Sequence, residues 1–130
     1  MKIVVTANGQ DLDAPTSPVF GRCPTYILVD TETMQFEVVA NPALSAGSGA
    51  GIQAAQFIIE QGAQAVVTGN VGPNAYGVLS AAGVAVYLNN GGTVRQAIEA
   101  YNAGELGATS APSGPAHAGM GRGGGRRRGR

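Results

Sequence analysis

The sequence predicts one α/β domain in which a mixed five-stranded sheet carries three helices, in the order β-β-β-α-β-α-β-α. In the second half, short β-branched runs alternate with helical apolar patterns, as expected for βα units. In the first half, a four-residue connection joins two strand-like runs, which is typical of an antiparallel hairpin. With 44% hydrophobic residues, 5% aromatic residues and no Trp, the core must consist of Val, Ile, Leu and Ala.

The five strands are predicted from apolar, mostly β-branched runs bounded by turn residues. They cover residues 2–7, 25–30, 35–40, 63–68 and 84–88. Between the first two strands, residues 10–18 contain two prolines and two aspartates, which favours an extended loop without regular structure.

The three helices are predicted from apolar residues at helical spacing and from a glycine after each pattern. The first covers residues 52–61, the second begins at Pro73 and the third follows Thr93. Pro73 suits a first helical turn, where its missing N–H is not needed. Thr93 and Gln96 have the spacing of a capping box.

Charge is distributed unevenly along the chain. The eight acidic residues and three basic residues all precede residue 117, so this part carries a net −5, whereas five arginines follow it. Residues 1–107 are predicted to form the domain. Residues 108–130, rich in Ala, Ser, Pro, Gly and Arg, are predicted to be disordered because they bury too little apolar surface to offset the entropy lost on ordering.

The sequence also bears on the cellular location of the protein and on the chemistry of its cysteine. It opens with a strand-like run rather than a signal peptide, and it has no apolar stretch of about 18 residues. We therefore expect a cytoplasmic protein without a membrane contact. A single cysteine, Cys23, excludes an intramolecular disulfide and a CxxC metal site.

Three glycine-rich turns, each before a predicted helix, form the candidate binding site. Glycine lets a backbone approach a ligand closely, and the N–H groups at a helix start attract anions. If the turns meet at one edge of the sheet, they form one groove. The alternative is that the glycines only allow close packing. The spacing fits neither a P-loop nor G-x-G-x-x-G. The predicted contacts are Gly47, Ser48, Gly49, Ala50, Gly51, Gly69, Asn70, Val71, Gly72, Asn90, Gly91, Gly92 and Thr93.

Several segments together resemble a known family. They are the opening KIVVTANG, the segment SPVFGRCPTYILVD, and the turns GSGAGIQAAQFI, VVTGNVGPNA and VYLNNGGTVRQAI. In this respect residues 1–107 resemble the dinitrogenase iron–molybdenum cofactor biosynthesis proteins, and especially the small stand-alone members. The tail GMGRGGGRRRGR is also similar to theirs.

The resemblance implies a ribonuclease H-like fold without nuclease activity. It also implies a non-enzymatic role: binding, storing or transferring a preassembled cluster, either a molybdenum–copper sulfide or an iron–molybdenum type. A partner protein would donate or receive the cluster. The multi-cysteine scaffold of a conventional iron–sulfur protein is missing from the sequence, so a non-covalent site is expected.

Three further residues are candidates for contact with the cluster. Arg22 lies beside Cys23, where its charge would favour a thiolate able to bind metal. The alternative for Cys23 is an ordinary half-buried thiol. His117 is a candidate metal ligand in the tail, although a lone histidine there is more often solvated.

Two other classes of function remain as alternatives. The same turns could bind a nucleotide or another phosphate in an enzyme or regulator. The arginine-rich tail could bind RNA by charge, but it lacks interleaved aromatic residues for base stacking, which makes a nucleic-acid partner the weaker hypothesis.

Overall fold

The computed structural model describes residues 1–44 and 49–112. The order β-β-β-α-β-α-β-α is confirmed in these residues. The elements are β1 (Lys2–Ala7), β2 (Thr25–Asp30), β3 (Phe36–Ala40), α1 (Ala50–Glu60), β4 (Ala65–Thr68), α2 (Pro73–Ala81), β5 (Ala85–Leu88) and α3 (Val94–Asn102).

The five strands form one mixed sheet in the order β3-β2-β1-β4-β5. Strand β2 is antiparallel to both β1 and β3, and β4 is parallel to both β1 and β5. This order and strand count fit the predicted ribonuclease H-like α/β fold. Strands β3, β4 and β5 run in the same direction and each precedes a helix. All three helices therefore begin at the same edge of the sheet, its carboxyl edge.

The sheet is covered on both faces. Helices α1 and α2 pack on one face, where a cluster around Tyr26, Ile58 and Leu79 is buried. Helix α3 packs on the other face through Val94 and Ile98. Strands covered on both sides need continuous apolar runs, which explains why β1 and β4 are nearly all β-branched or Ala.

The helix ends follow the predicted glycine signals. Gly62, Gly83 and Gly104 have φ angles of 79°, 79° and 74°, the left-handed conformation that L-residues with a side chain disfavour. The predicted starts are accurate for α2 and α3. Helix α1 begins at Ala50, two residues before the predicted start at residue 52.

The chain remains paired beyond the predicted domain boundary at residue 107. Gly107 accepts a hydrogen bond from the Leu88 N–H at 3.2 Å, and Thr109 donates one to the Val86 carbonyl at 2.8 Å. These bonds extend the edge at β5 beyond residue 107, and we therefore expect the domain to end after Thr109. The predicted disorder of residues 113–130 falls outside the described residues. Within the described ranges, none of the helices has the length and apolarity to span a membrane.

Candidate functional site

A cleft of about 300 Å³ lies at the carboxyl edge of the sheet, between the starts of α1 and α2. It is called the first cleft below. The loop before β2 forms its third wall. The lining residues are Val19, Phe20, Gly21, Arg22, Gly49, Ala50, Gly51, Ile52, Asn70, Gly72, Pro73, Asn74 and Ala75.

Both helix starts that line the first cleft are uncapped. Neither Gly49, which precedes α1, nor Gly72, which precedes α2, provides a side-chain cap, and neither first turn contains an acidic residue. Each helix start therefore presents a positive dipole end to the cleft, with no acidic residue in its own first turn to neutralise it.

Backbone donors at these helix starts have no acceptor among the residues the structure describes. This holds for the N–H groups of Ala50, Gly51 and Ile52 in α1 and of Asn74 and Ala75 in α2. Ala50 and Ala75 are only 5% and 4% exposed. Because buried N–H groups nearly always find a partner, these donors indicate a place for water or a ligand with acceptor atoms.

The loop that carries Arg22 is held in place by three buried side chains. The Tyr26 hydroxyl and the Cys23 thiol both donate to the Phe20 carbonyl. The Asn41 side chain donates to the Gly21 carbonyl at 3.1 Å and to the Cys23 carbonyl at 2.9 Å. The exposed Arg22 thus lies on a fixed backbone at the wall of the first cleft.

Cys23 itself does not lie in the first cleft. Its side chain is fully buried in the core beside Tyr26. Burial raises the pKa of the Cys23 thiol from 9.0 to about 11, which outweighs the hydrogen bonds that lower it. The expectation that Arg22 favours a thiolate is therefore wrong: desolvation dominates, and this position gives no support for Cys23 as a metal ligand.

A second cleft of about 310 Å³ lies beside the first at the carboxyl edge. Asn70 lines both clefts. The second cleft is formed by the segment after β4, the segment after β5 and the loop after β1, and its lining residues are Thr16, Pro18, Gly69, Asn70, Asn89, Asn90 and Gly91. The single groove expected from the three turns is thus divided into two neighbouring clefts.

The start of α3 differs from the other two because its N–H groups are already bonded. The predicted capping box is present: the Thr93 side chain accepts from the Gln96 N–H, and the Gln96 side chain accepts from the Thr93 N–H. The next two donors, of Val94 and Arg95, bond to carbonyls in the loop after β1. In the turn before α3, the backbone N–H groups are therefore bonded within the protein, and fewer of them are available to a ligand.

Two of the predicted glycines have a clear conformational or packing role. Gly49 has a φ of 76°, which disfavours any residue with a side chain. A Cβ on Gly69 would lie 2.6 Å from the Pro18 Cα, so Gly69 allows the loop after β1 to approach the end of β4. For Gly69, close packing is thus a sufficient explanation.

The structure places the predicted contacts in four groups. Those in the first cleft are Arg22, Gly49, Ala50, Gly51, Asn70 and Gly72. Gly69, Asn90 and Gly91 line the second cleft. Val71 is buried in the core, and Gly92 and Thr93 belong to the start of α3. Gly47, Ser48 and His117 lie outside the described residues.

Sequence reasoning missed part of the first cleft. The missed lining residues are Val19, Phe20, Gly21, Ile52, Pro73, Asn74 and Ala75. Pro73 to Ala75 directly follow a predicted turn, so their position in the first turn of a helix could have identified them as lining residues. The loop of residues 19–21 precedes an antiparallel strand, and no local pattern predicts that it folds onto α1.

Two aspartates, Asp13 in the loop after β1 and Asp30 at the end of β2, have structural partners. Asp13 accepts from the Arg95 guanidinium at 3.0 Å in an exposed ion pair. Asp30 accepts the Glu32 N–H, and this bond is the main cause that holds the pKa of its carboxyl below the ordinary value. Among the described residues, no three His, Cys, Asp or Glu side chains are grouped closely enough to hold a metal ion.

Known proteins match this chain over most of its length. An uncharacterized protein of Methanocaldococcus jannaschii is 31% identical over 109 residues, which is 82% of this chain and 89% of that protein. The apo form of the orange protein of Desulfovibrio gigas has 40% identity and a TM-score of 0.84, over 87% of this chain and 96% of its own.

Another solved structure, a Thermotoga protein of the DUF35 family, has 36% identity and a TM-score of 0.73, over 82% of this chain and 91% of its own. The family model described as "Dinitrogenase iron-molybdenum cofactor" matches residues 1–104. Sequence, fold and family match agree over the same region, and the chain belongs to the dinitrogenase iron–molybdenum cofactor family.

Proposed function

We propose that this protein binds a compact, anionic, molybdenum-containing metal–sulfur cluster in the first cleft and stores it or transfers it to another protein. The binding is non-covalent. The ligand is a molybdenum–copper sulfide or an iron–molybdenum-type cluster, with a partner protein as its donor or acceptor.

The observation that carries this proposal is the pair of uncapped helix starts that line one cleft. Their N–H groups have no acceptor in the described part of the chain, and two of them belong to nearly buried residues. Arg22 adds a formal positive charge on a third wall. An anion with several acceptor atoms would satisfy these donors and the two helix dipoles together.

The remaining walls suit a weakly hydrated sulfide better than a strongly hydrated ion. Val19, Phe20, Ile52 and Pro73 give the first cleft an apolar lining. Sulfide ligands are large and polarisable, and they lose less hydration on burial than oxyanions do. A volume of about 300 Å³ is at the lower end of the usual range for ligand pockets, which favours a compact cluster.

The attraction between the first cleft and an anionic cluster must arise from groups at the cleft rather than from the net charge of the whole domain. The part of the chain before residue 117 carries a net −5, which repels an anion at long range. At the cleft, Arg22 and two helix starts contribute positive charge, and the lining residues that the structure describes include no carboxylate.

We infer a carrier or store rather than a catalyst. Among the described residues, the polar side chains on the lining are Arg22, Asn70 and Asn74, and none of them is a carboxylate, an imidazole or a thiol. Such groups can bind and orient a ligand, but they are poor general acids or bases. The likeness to a family described by an iron–molybdenum cofactor, and to the orange protein, supports the same interpretation.

Tetrathiomolybdate is the simplest probe of this site, used anaerobically with and without Cu(I). Gly72→Leu is the test variant, because a Cβ at Gly72 would meet no atom within 4 Å and the residue lines the first cleft. Gly77→Leu is the matched control, since Gly77 has equally open surroundings but lies on α2 outside the cleft lining.

We expect the wild type and Gly77→Leu to retain stoichiometric molybdenum after desalting, with induced circular dichroism in the visible bands. Gly72→Leu should lose at least 90% of the bound molybdenum, while its thermal unfolding stays close to that of the control. Equal retention by both variants would contradict binding in the first cleft. Inorganic phosphate that displaces the probe at equal concentration would favour a phosphate ligand instead.

A further inference from the structure

We propose that the outer edge of β3 is an interaction surface for a second copy of this chain, which pairs its own β3 antiparallel to the first. The pairing would join the two sheets into one. This inference goes beyond the proposed function and does not depend on it.

The backbone of β3 alternates between residues bonded to β2 and residues that face outwards. At the two ends of the pair, the Gln35 carbonyl accepts from the Asp30 N–H at 2.9 Å, and the Asn41 N–H donates to the Pro24 carbonyl at 3.1 Å. Because an antiparallel ladder bonds every second residue, the bonds to β2 fall on odd-numbered residues of β3. The N–H and C=O groups that point away from the sheet are those of Phe36, Val38 and Ala40.

The two edges of the sheet are treated differently. At the β5 edge, the chain covers the strand with its own residues 107–109, through the bonds of Gly107 and Thr109. At the β3 edge, no strand or bridge from residues 1–44 and 49–112 pairs with the outer side. Edge strands are commonly protected by Lys, Pro or a bulge. Strand β3 has neither residue, and its register with β2 is unbroken, so it can accept another strand.

One register makes β3 complementary to itself. In an antiparallel pair centred on Val38, this residue faces Val38 of the second copy, and Phe36 faces Ala40. All the outward N–H and C=O groups of β3 are then paired, and a large side chain meets a small one. The single charge of the strand, Glu37, faces Val39. A pair centred on residue 37 would instead place two carboxylates opposite each other, which is unfavourable.

The side chains at this edge also gain from pairing. Phe36 is 43% exposed, and Val38 is half-buried against the core under α3. A second β3 would cover both with apolar neighbours. The contact is short, so we expect a weak, reversible dimer with a dissociation constant of about 100 µM. Because the two β3 strands are antiparallel, the two first clefts lie at opposite ends of the joined sheet and remain open.

A charge exchange at residue 38 tests the surface and its register together. Full-length wild type, Val38→Lys and Val38→Glu are compared by sedimentation equilibrium at about 0.15 M NaCl, which screens the net charge of the domains. We expect each charged variant alone to dimerise at least about tenfold more weakly than wild type, because like charges meet at the centre. An equimolar mixture should recover dimerisation to within about threefold of wild type, as a Lys–Glu pair forms there. Val38→Thr, which keeps the shape and the backbone N–H, is the matched control and should behave as wild type.

Amide exchange of the wild type gives a second readout that needs no variant. The N–H groups of Phe36, Val38 and Ala40 should exchange severalfold more slowly at about 1 mM protein than at about 10 µM. A wild type that stays monomeric at 1 mM would overturn the proposal. Equal association of all the variants, or a mixture that stays monomeric, would overturn it as well. If the charged variants fail to fold, the concentration dependence of these three amides decides.

Tetrathiomolybdate binding separates this inference from the proposed function. Monomeric Val38→Lys should retain as much molybdenum as wild type, because β3 lies outside the first cleft. Failure of every form to bind molybdenum would overturn the proposed function and leave the dimer in place.

Discussion

At the scale of single residues, burial governs the chemistry of the only thiol. The sequence places Cys23 beside Arg22, and local charge alone would make the thiol acidic. In the fold the side chain points into the core and donates to the Phe20 carbonyl. Desolvation then raises the pKa of the thiol to about 11. Sequence reasoning could not find this, because the local sequence around Cys23 gives no sign of which side chain turns inward.

The buried thiol predicts a specific dependence of stability on pH. Its folded pKa lies above the unfolded value, so the unfolded state loses the proton first and stability falls as pH rises from about 9 to about 11. The free energy of unfolding of wild type relative to Cys23→Ala should decrease by about 2 kcal/mol between pH 8 and pH 10.5.

Urea unfolding at both pH values measures this difference, and thiol alkylation is an independent check. Native wild type should react with iodoacetamide at pH 8 far more slowly than the urea-unfolded protein. Tyr26→Phe controls for the neighbouring phenol, whose pKa is also raised by burial. Rapid alkylation of the native protein at pH 8 would contradict the buried position of Cys23.

At the scale of elements, three helices begin at the same edge but only two of their starts are open. All three turns are glycine-rich in sequence, which makes them look equivalent. The difference is that the loop after β1 bonds the first donors of α3, and Thr93 and Gln96 bond each other. The capping box was readable from the spacing of Thr93 and Gln96. The closing loop was not, because its contacts join residues about 80 positions apart.

Removal of the N-cap side chain of α3 should therefore lower the stability of the fold without weakening cluster binding. Thr93→Ala removes one side of the capping box and should cost about 1 kcal/mol of folding free energy. Tetrathiomolybdate affinity should stay within twofold of wild type, because Thr93 lies outside the first cleft.

Denaturant unfolding and a visible titration measure the two effects. Ser80→Ala, at an exposed position of α2, is the control, with an expected stability change within about 0.5 kcal/mol. Loss of affinity in Thr93→Ala comparable to that of Gly72→Leu would show that the third turn belongs to the binding site.

At the scale of the whole molecule, the fold was predictable from the sequence, but the pairing of the chain beyond residue 107 was not. Strand and helix order followed from β-branched runs, helical spacing and glycine stops such as Gly62. The pairing of Ala108 and Thr109 with the edge of β5 could not be predicted, since these two residues lie in a stretch whose composition resembles the tail. Backbone hydrogen bonds to an edge strand need no particular side chains, so such pairing leaves little signal in the sequence.

Truncation tests where the domain ends. A chain of residues 1–112 should unfold with the same free energy as the full chain, because it keeps the contacts of Gly107 and Thr109. A chain of residues 1–106 should lose about 1–3 kcal/mol, since two backbone hydrogen bonds to β5 are removed.

Thermal and urea unfolding of the three lengths provide the measurement, with gel filtration to detect association through the uncovered β5 edge. If the domain ends after Thr109, the chain of residues 1–106 must be less stable than the chain of residues 1–112. Equal stability of the 1–106 and 1–112 chains would return the boundary to the predicted residue 107.

The most direct test of the central claim is the affinity for tetrathiomolybdate of Asn74→Asp, measured beside Ser80→Asp. Asn74 lies in the first turn of α2 on the lining of the first cleft, and Ser80 is an exposed residue nearer the end of the same helix. A carboxylate at residue 74 interacts favourably with the helix dipole, so the fold should be no less stable.

The same charge repels an anion in the first cleft. We predict that Asn74→Asp weakens binding roughly tenfold, equivalent to about 1.4 kcal/mol, and that Ser80→Asp changes it less than twofold. Unchanged affinity in Asn74→Asp, or an equal loss in both variants, would contradict an anionic cluster held between the starts of α1 and α2.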